Sequence, residues 1–404
     1  SRLALAPVAA DTAGARAGAR GSWQRSAAAT TAVVAAVVGA AGWRLGAARA
    51  AAGLRTLAST AASVSVAGRR RLGAHLVLGH PAARCAVTMA GPTAGGAGGG
   101  GERQLSRSPR GKAPPRPPET SKIGLVQMCS RNDKDVNFEE CARLVAEAAR
   151  QGCQLVALPE CFSFIGARPG EAQVAAEPLS GPIMAKYCAL AKQHGLWLSL
   201  GGFQERPKQA TAEGEGGEAK IFNTHAIVDA DGQIVADYRK IHLFDAPFTG
   251  LVESKQSMAG SEVIFCDSPV GRLGVTICYD LRFPELYQKL RFEHGCDVLL
   301  IPAAFTVPTG SAHWELLLRA RAVECQCYVV AAAQAGRHNE DGNKRESWGH
   351  AMVVDPWGKV LEDMGRSELG LRVVEIARAA TADVRRRMPL IDQRRYDIYG
   401  PGKP

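Results

Sequence analysis

Cys278 stands where a short β-branched run, Val275, Thr276 and Ile277, gives way to a helix-starting stretch that contains Asp280, Pro284 and Glu285. The run reads as the end of a buried strand. Asp280 reads as the N-cap of the following helix, with Pro284 and Glu285 in its first turn. A thiol at such a junction lies beside unpaired backbone N–H groups and the positive end of a helix dipole. Both are expected to lower its pKa and to favour an oxyanion next to the sulfur. Cys278 is therefore either a thiolate nucleophile or a buried structural thiol, and its partners decide which. Two other apolar runs carry a charge at or just past their ends: Glu160 closes CQLVALPE (153–160), and Lys240 lies in YRKIHLF (238–244). The carboxyl ends of strands in an α/β sheet share one rim, and buried charges are costly unless paired. Glu160 and Lys240 are thus expected to neighbour each other and Cys278. Taken singly, Glu160 could equally be a capping acid and Lys240 a solvated strand-end base. His242 and His313 raise the alternative of a Cys/His protease, but no Asn or Asp signature accompanies them. Neither the histidines nor the cysteines fall at zinc-ligand spacing.

The elements that must position these residues follow from hydrophobic periodicity. Residues 122–128 read as a strand, 138–152 as a helix ending at a glycine, 153–160 as a strand, 183–195 as a helix and 196–203 as a strand. In 222–241, Asp231 and Gly232 separate two alternating runs, a β-hairpin signal. The strand, helix, strand rhythm resumes at 296–305, 313–326 and 327–334. A hairpin around Pro356, Trp357 and Gly358, a strand at 371–376 and a short helix at 381–389 follow. Cys325 and Cys327 are expected to point the same way on one strand. Alternation of this kind implies an α/β sheet with helices on its faces, in one large domain.

The chain as a whole has 404 residues and a net charge of +10, but its two parts differ. Residues 1–118 hold fifteen Arg and one Lys against two acids, about +14, in long Ala and Gly runs; the rest carries −4. The positive charge therefore belongs to a leader, and the mildly acidic remainder argues against a nucleic-acid partner. An Arg-rich, Ala-rich, acid-poor leader has the composition of an organelle transit segment, and the first Met, Met89, offers a second reading in which a shorter form starts there. A mitochondrial and/or cytoplasmic location is expected. Residues 26–43 approach membrane-spanning length but lack Leu, Ile and Phe, so stable membrane insertion is not expected. Gly-rich and Pro-rich runs (95–101 and 114–118) link the leader, 1–120, to the core. Eleven cysteines with no CxxC pair fit free thiols in a reducing compartment.

In this order and approximate spacing, the segments LPE, YRKIHLF, CYDLRFPEL, HWELLLRARAVECQCYV and GHAMVVDPWG resemble the nitrilase (carbon–nitrogen hydrolase) superfamily over about residues 121–399. The resemblance implies an αββα four-layer sandwich for 121–384, two mixed sheets face to face with helices outside. It also implies a 385–404 tail that reaches across a homodimer or higher homo-oligomer. Glu160 would be the general base, Cys278 the nucleophile and Lys240 the oxyanion donor, aided by the Tyr279 backbone N–H. Glu253 matches a glutamate that holds the lysine and orients substrate. Arg282 matches an arginine that can face a substrate carboxylate; a structural ion pair at a helix start is its other reading. The partners are a small amide and water, with no metal or organic cofactor. Within the superfamily the chain is most similar to the deaminated glutathione amidases, with the omega-amidases, which act on α-ketoglutaramate or α-ketosuccinamate, as near relatives. The residue chemistry does not separate those substrates. A catalytically idle scaffold is the reading from another class.

Overall fold

The computed structural model describes residues 118–208, 219–246, 248 and 250–399, all within the second of the two units of the chain, 99–404. The expectations for the leader and for residues 26–43 lie outside the described residues. Among the described residues, no helix is long and apolar enough to cross a membrane.

The first half of the fold alternates β1 (Thr120–Met128), α1 (Lys134–Arg150), β2 (Leu155–Leu158), α2 (Glu171–Ala175), α3 (Pro182–His194) and β3 (Trp197–Glu205). The hairpin β4 (Phe222–Val228) and β5 (Ile234–Arg239) follows, then a small hairpin of β6 (Asp245–Ala246) and β7 (Leu251–Val252). The second half runs β8 (Ile264–Ser268), β9 (Gly271–Val275), α4 (Pro284–Phe292), β10 (Val298–Leu300), α5 (Val307–Cys325), β11 (Tyr328–Ala331), β12 (Ala333–Arg337) and β13 (Glu346–Trp348). It closes with β14 (Met352–Val354), β15 (Val360–Asp363), β16 (Gly370–Ala377), α6 (Arg378–Arg387) and two short helices, α7 (Leu390–Gln393) and α8 (Tyr396–Tyr399). One sheet has the order β13-β12-β1-β2-β3-β4-β5, with β16 also on β1; the other has β15-β14-β11-β10-β9-β8.

Strand alternation sorts the side chains into two cores. Ile123, Leu125, Leu155 and Ala157 face the second sheet, where Leu273, Val275, Val298 and Leu300 meet them; α4 and α5 cover that sheet's outer side with Leu286, Leu290, Trp314 and Leu318. Val126, Val156, Leu158, Leu198 and Leu200 face the other way, onto Leu144 and Val145 of α1 and Tyr187 of α3. The result is four layers, helix, sheet, sheet, helix.

Local signals account for most element ends. Helix α1 starts four residues before the expected position because the Asp133 carboxylate accepts from the N–H groups of Asp135 and Val136 at 3.0 and 3.1 Å. Helix α3 has Pro182 at its start and Gly195 in the left-handed conformation, φ 62°, at its end. Two expectations are corrected. Asp280 does not cap an α-helix: Cys278–Arg282 form a 3₁₀ turn, and α4 begins at Pro284 with Phe283 as an N-cap that offers no side-chain bond. Cys325 and Cys327 do not share a strand, because Gln326 takes a left-handed conformation, φ 52°, between α5 and β11.

A polar bridge crosses the inter-sheet core. His225 of β4 contacts Ser199 Oγ of β3 at 2.7 Å through Nε2 and the Thr276 carbonyl at 2.9 Å through Nδ1. Burial pushes its pKa down to about 4, against the Thr276 bond. His338, between Ser130 O (3.0 Å) and Ser347 Oγ (2.7 Å), is pushed down to about 3 by burial and by the charge of Arg345. Both rings are neutral in the fold and protonate near the ordinary histidine pKa once unfolded. Stability present above about pH 6.5 is therefore lost as the pH falls towards the folded values, on the order of 1–2 kcal/mol per histidine by pH 5. Urea unfolding at pH 7.5 and pH 5 is expected to show a lower midpoint at pH 5. An unchanged midpoint would refute the assignment of two neutral buried rings.

Candidate active site

Three strand ends build the site. Strand β5 runs antiparallel to β4, which runs antiparallel to β3, so β5 points the same way as β2 and β3. Their carboxyl ends therefore share a rim, and Glu160 follows β2 while Lys240 follows β5. Cys278 follows β9 of the facing sheet. The sheets approach closely here because of glycine. A Cβ on Gly201 would lie 2.1 Å from Pro302, and one on Gly202, whose φ is +75°, would lie 2.7 Å from Glu160 Cγ. The segment after β10 ties the halves together: Pro302 O accepts from Cys278 N–H at 2.9 Å, and Ala304 N–H donates to Glu160 Oε2 at 3.0 Å.

Lys240 is 2 % exposed and has its ammonium between two carboxylates, Glu160 Oε1 at 3.1 Å and Glu253 Oε2 at 2.9 Å. Asn223 donates from Nδ2 to both, at 2.9 Å to Glu160 Oε1 and 3.1 Å to Glu253 Oε1. Glu253 also accepts from Phe244 N–H at 2.8 Å, which fixes the base of the β6–β7 hairpin to the charge cluster. Burial alone would raise the Glu160 carboxyl, but the Lys240 charge with hydrogen bonds from Cys278 and Asn223 outweighs it and holds the group below its usual range. Lys240 is the mirror case: burial opposes its charge, and Glu160 and Glu253 hold it well above the usual lysine value.

Cys278 has φ 47°, a left-handed conformation that a non-glycine residue adopts at a cost. The turn is enforced from below by Asp280. Its buried carboxylate accepts from Ile277 N–H (2.8 Å), Tyr238 OH (2.7 Å) and the His242 imidazole at Nδ1 (2.8 Å). His242 stacks on Phe283 with ring centroids 3.7 Å apart. Tyr238, Lys240 and His242 thus alternate along one segment, two of them holding the turn that carries the cysteine and one entering the charge cluster. This buried acceptor role is why Asp280 is absent from the α4 cap.

The expected low thiol pKa is also corrected. Burial and the negative charge of Glu160 push the Cys278 pKa well above its ordinary value, and Lys240 opposes this only in part. A short 3₁₀ turn supplies little dipole to set against them. The resting state is a neutral thiol hydrogen-bonded to an ionised Glu160, so the proton must move as the sulfur attacks.

Glu160, Lys240, Glu253, Cys278, Tyr279 and Arg282 all line one cavity of about 400 Å³. Tyr279 is the second residue of the 3₁₀ turn, where a backbone N–H has no acceptor one turn back. Arg282 lies 3.4 Å from His313 Nδ1 and over the rings of Tyr279 and Phe305, at 5.8 and 5.6 Å. Among the described residues no carboxylate pairs with it, which leaves its structural ion-pair reading without a partner. His313 makes that contact to Arg282, and His242 is bound to Asp280, so neither has the place of a cysteine-protease base.

Sequence reasoning missed Asn223, Ala304, Arg345 and the two glycines. No spacing marks Asn223 within FNTHA, and Ala304 acts only through its backbone. Gly201 and Gly202 did carry a signal: a glycine pair inside a strand marks close backbone approach.

A buried carboxylate, an ammonium ion and backbone N–H groups around a thiol suit acyl transfer from a C–N bond. The chain belongs to the carbon–nitrogen hydrolase family, whose model matches residues 122–386, and it is a hydrolase acting on carbon–nitrogen bonds. The human protein named deaminated glutathione amidase is 44% identical over 303 residues, covering 73% of this chain and 90% of the relative. The Dictyostelium discoideum protein of the same name is 44% identical over 286 residues, covering 69% of this chain and 95% of the relative. Among solved structures, the Caenorhabditis elegans NitFhit protein superposes with a TM-score of 0.62 at 44% identity, covering 70% of this chain and 66% of that one.

Two substitutions test the geometry. Gly202→Ala should push Glu160 off its position and lower kcat/KM by roughly 10- to 100-fold, the scale set by ångström displacements of reacting groups. Asn223→Asp should lower kcat/KM at least as far, because it places a third carboxylate against Glu160 and Glu253. Steady-state kinetics on variants with native circular dichroism would check both; wild-type rates in either would contradict this arrangement.

Proposed function

We propose that the protein is a cysteine-dependent amidase that hydrolyses deaminated glutathione, the amide formed between an α-keto acid and cysteinylglycine, and so serves metabolite repair. The observation that carries the reading is the buried set in which the Glu160 carboxylate faces the Cys278 thiol while Lys240 is held between Glu160 and Glu253. The names of the relatives supply the substrate.

The cycle balances on these groups. Cys278 passes its proton to Glu160 as the sulfur bonds to the amide carbon. Lys240 and the Tyr279 N–H donate to the oxyanion. The C–N bond breaks, and the leaving nitrogen takes the proton from Glu160. Water then attacks the thioester and gives a proton to Glu160. The C–S bond breaks, the keto acid departs and the proton returns to sulfur. Lys240, charged throughout, acts electrostatically. Arg282 faces the keto-acid carboxylate. An idle scaffold would have no reason to keep a strained cysteine beside an ionised carboxylate.

Exposed Leu316 and Val323 on α5 support a homo-oligomer joined through this helix. The leader composition supports a mitochondrial and/or cytoplasmic location.

Cys278→Ala should retain its fold and oligomeric state while losing roughly 10⁴-fold or more in kcat/KM, the scale of losing a covalent nucleophile. Surviving activity would reject the mechanism. Purified enzyme should turn over deaminated glutathione faster than α-ketoglutaramate, and the reverse order would move the assignment to an omega-amidase.

A further inference from the structure

Two arginines line the cavity, and the structure sets them on different sides. Arg282 belongs to the nucleophile side, over Tyr279 and Phe305. Arg345 belongs to the general-base side, in the loop between β12 and β13. That loop is docked on the segment after Glu160: Asn343 N–H donates to Ala167 O at 2.8 Å, Asn343 Nδ2 to Gly166 O at 3.1 Å and Asn339 Nδ2 to Ile165 O at 3.0 Å. The fit is close, since a Cβ on Gly342, φ +86°, would lie 2.3 Å from Ala167 O. Arg345 N–H donates to Asn343 Oδ1 at 3.2 Å, which fixes the backbone from which this residue joins Cys161 and Pro169 in lining the cavity. The side chain is half-buried, and among the described residues no carboxylate pairs with it. A partly desolvated guanidinium held in a cavity wall, with no carboxylate among the described residues in ion-pair contact with it, is a ready site for an anionic group of a ligand.

The chemistry says which group. Glu160 hands its proton to the leaving nitrogen, so the amine half of the substrate departs on the Glu160 side of the cavity. Arg345 is on that side; its charge reaches Glu160 and Cys161. We propose that Arg345 binds a carboxylate carried by the leaving amine, so that the enzyme selects amides whose amine half ends in an anion while Arg282 receives the acid half. The inference rests on the amidase reading above and adds the residue that separates a peptide-like amide from a primary amide. A primary amide releases ammonia and has nothing to place against Arg345.

The test compares deaminated glutathione with the same compound ending in glycinamide, which keeps the scissile bond and removes the terminal charge. Wild-type enzyme should prefer the free acid in kcat/KM by roughly 10- to 100-fold, the usual range for a hydrogen-bonded charged pair. In Arg345→Ala the preference should collapse to near one, and in Arg345→Lys part of it should return. A general effect of Arg345 on Glu160 would slow both substrates together and leave the ratio unchanged, which would overturn the proposal. Lys255 also lines the cavity, and loss of the preference in Lys255→Ala but not in Arg345→Ala, or a wild-type ratio near one, would overturn it as well. An enzyme that hydrolysed α-ketoglutaramate but neither peptide compound would instead overturn the substrate reading on which this inference stands.

Discussion

A lysine ammonium removed from water between two carboxylates is the constraint from which much of this structure follows. Burying one such charge unpaired costs several kcal/mol, and removing one partner from a buried set leaves the others uncompensated. Lys240, Glu160 and Glu253 are therefore held together by mutual need, and Asn223 satisfies both carboxylates at once. The set carries one surplus negative charge, and burial together with the negative charge of Glu160 keeps the thiol of Cys278 protonated at rest. The site stores no thiolate. It stores a base poised to make one when a carbonyl arrives, with the lysine ready for the charge that then appears on oxygen.

The segment from Tyr238 to His242 wires this cluster to the nucleophile. Alternate residues of this short segment, the end of β5 and the bend after it, provide the lysine and two of the groups that grip Asp280. Asp280 in turn fixes the turn at Cys278. A shift of this segment would move the lysine and release the cysteine turn together. The left-handed backbone at Cys278 is tolerated because the Pro302 carbonyl and the Asp280 carboxylate over-determine it. The His225 bridge to Thr276 O adds a cross-link between the sheets just before the nucleophile.

Close packing of the sheets completes the arrangement. Gly201 and Gly202 let β3 approach Pro302 and Glu160, so the Ala304 N–H from the facing sheet can orient the Glu160 carboxylate. The loop that carries Glu253 and the loop that carries Arg345 then enclose the cavity from two further sides.

The sequence by itself determined the alternation of strands and helices, because periodicity and caps act within a few residues. It also placed Glu160, Lys240 and Cys278 at strand ends; the shared direction of β2 and β5 brings the first two together, and the facing sheet brings Cys278 to them. Family resemblance added Glu253, Tyr279 and Arg282. Other features depended on contacts between residues far apart in the chain. Asp280 looked like a helix cap because only its local neighbours were visible; Tyr238 and His242, about forty residues earlier, draw it into the core. The protonation of Cys278 was misjudged for the same reason, since a pKa is set by burial and by charges that the fold delivers. Asn223, Ala304 and Arg345 carry no pattern in the sequence, because their importance lies in where the sheets and loops set them.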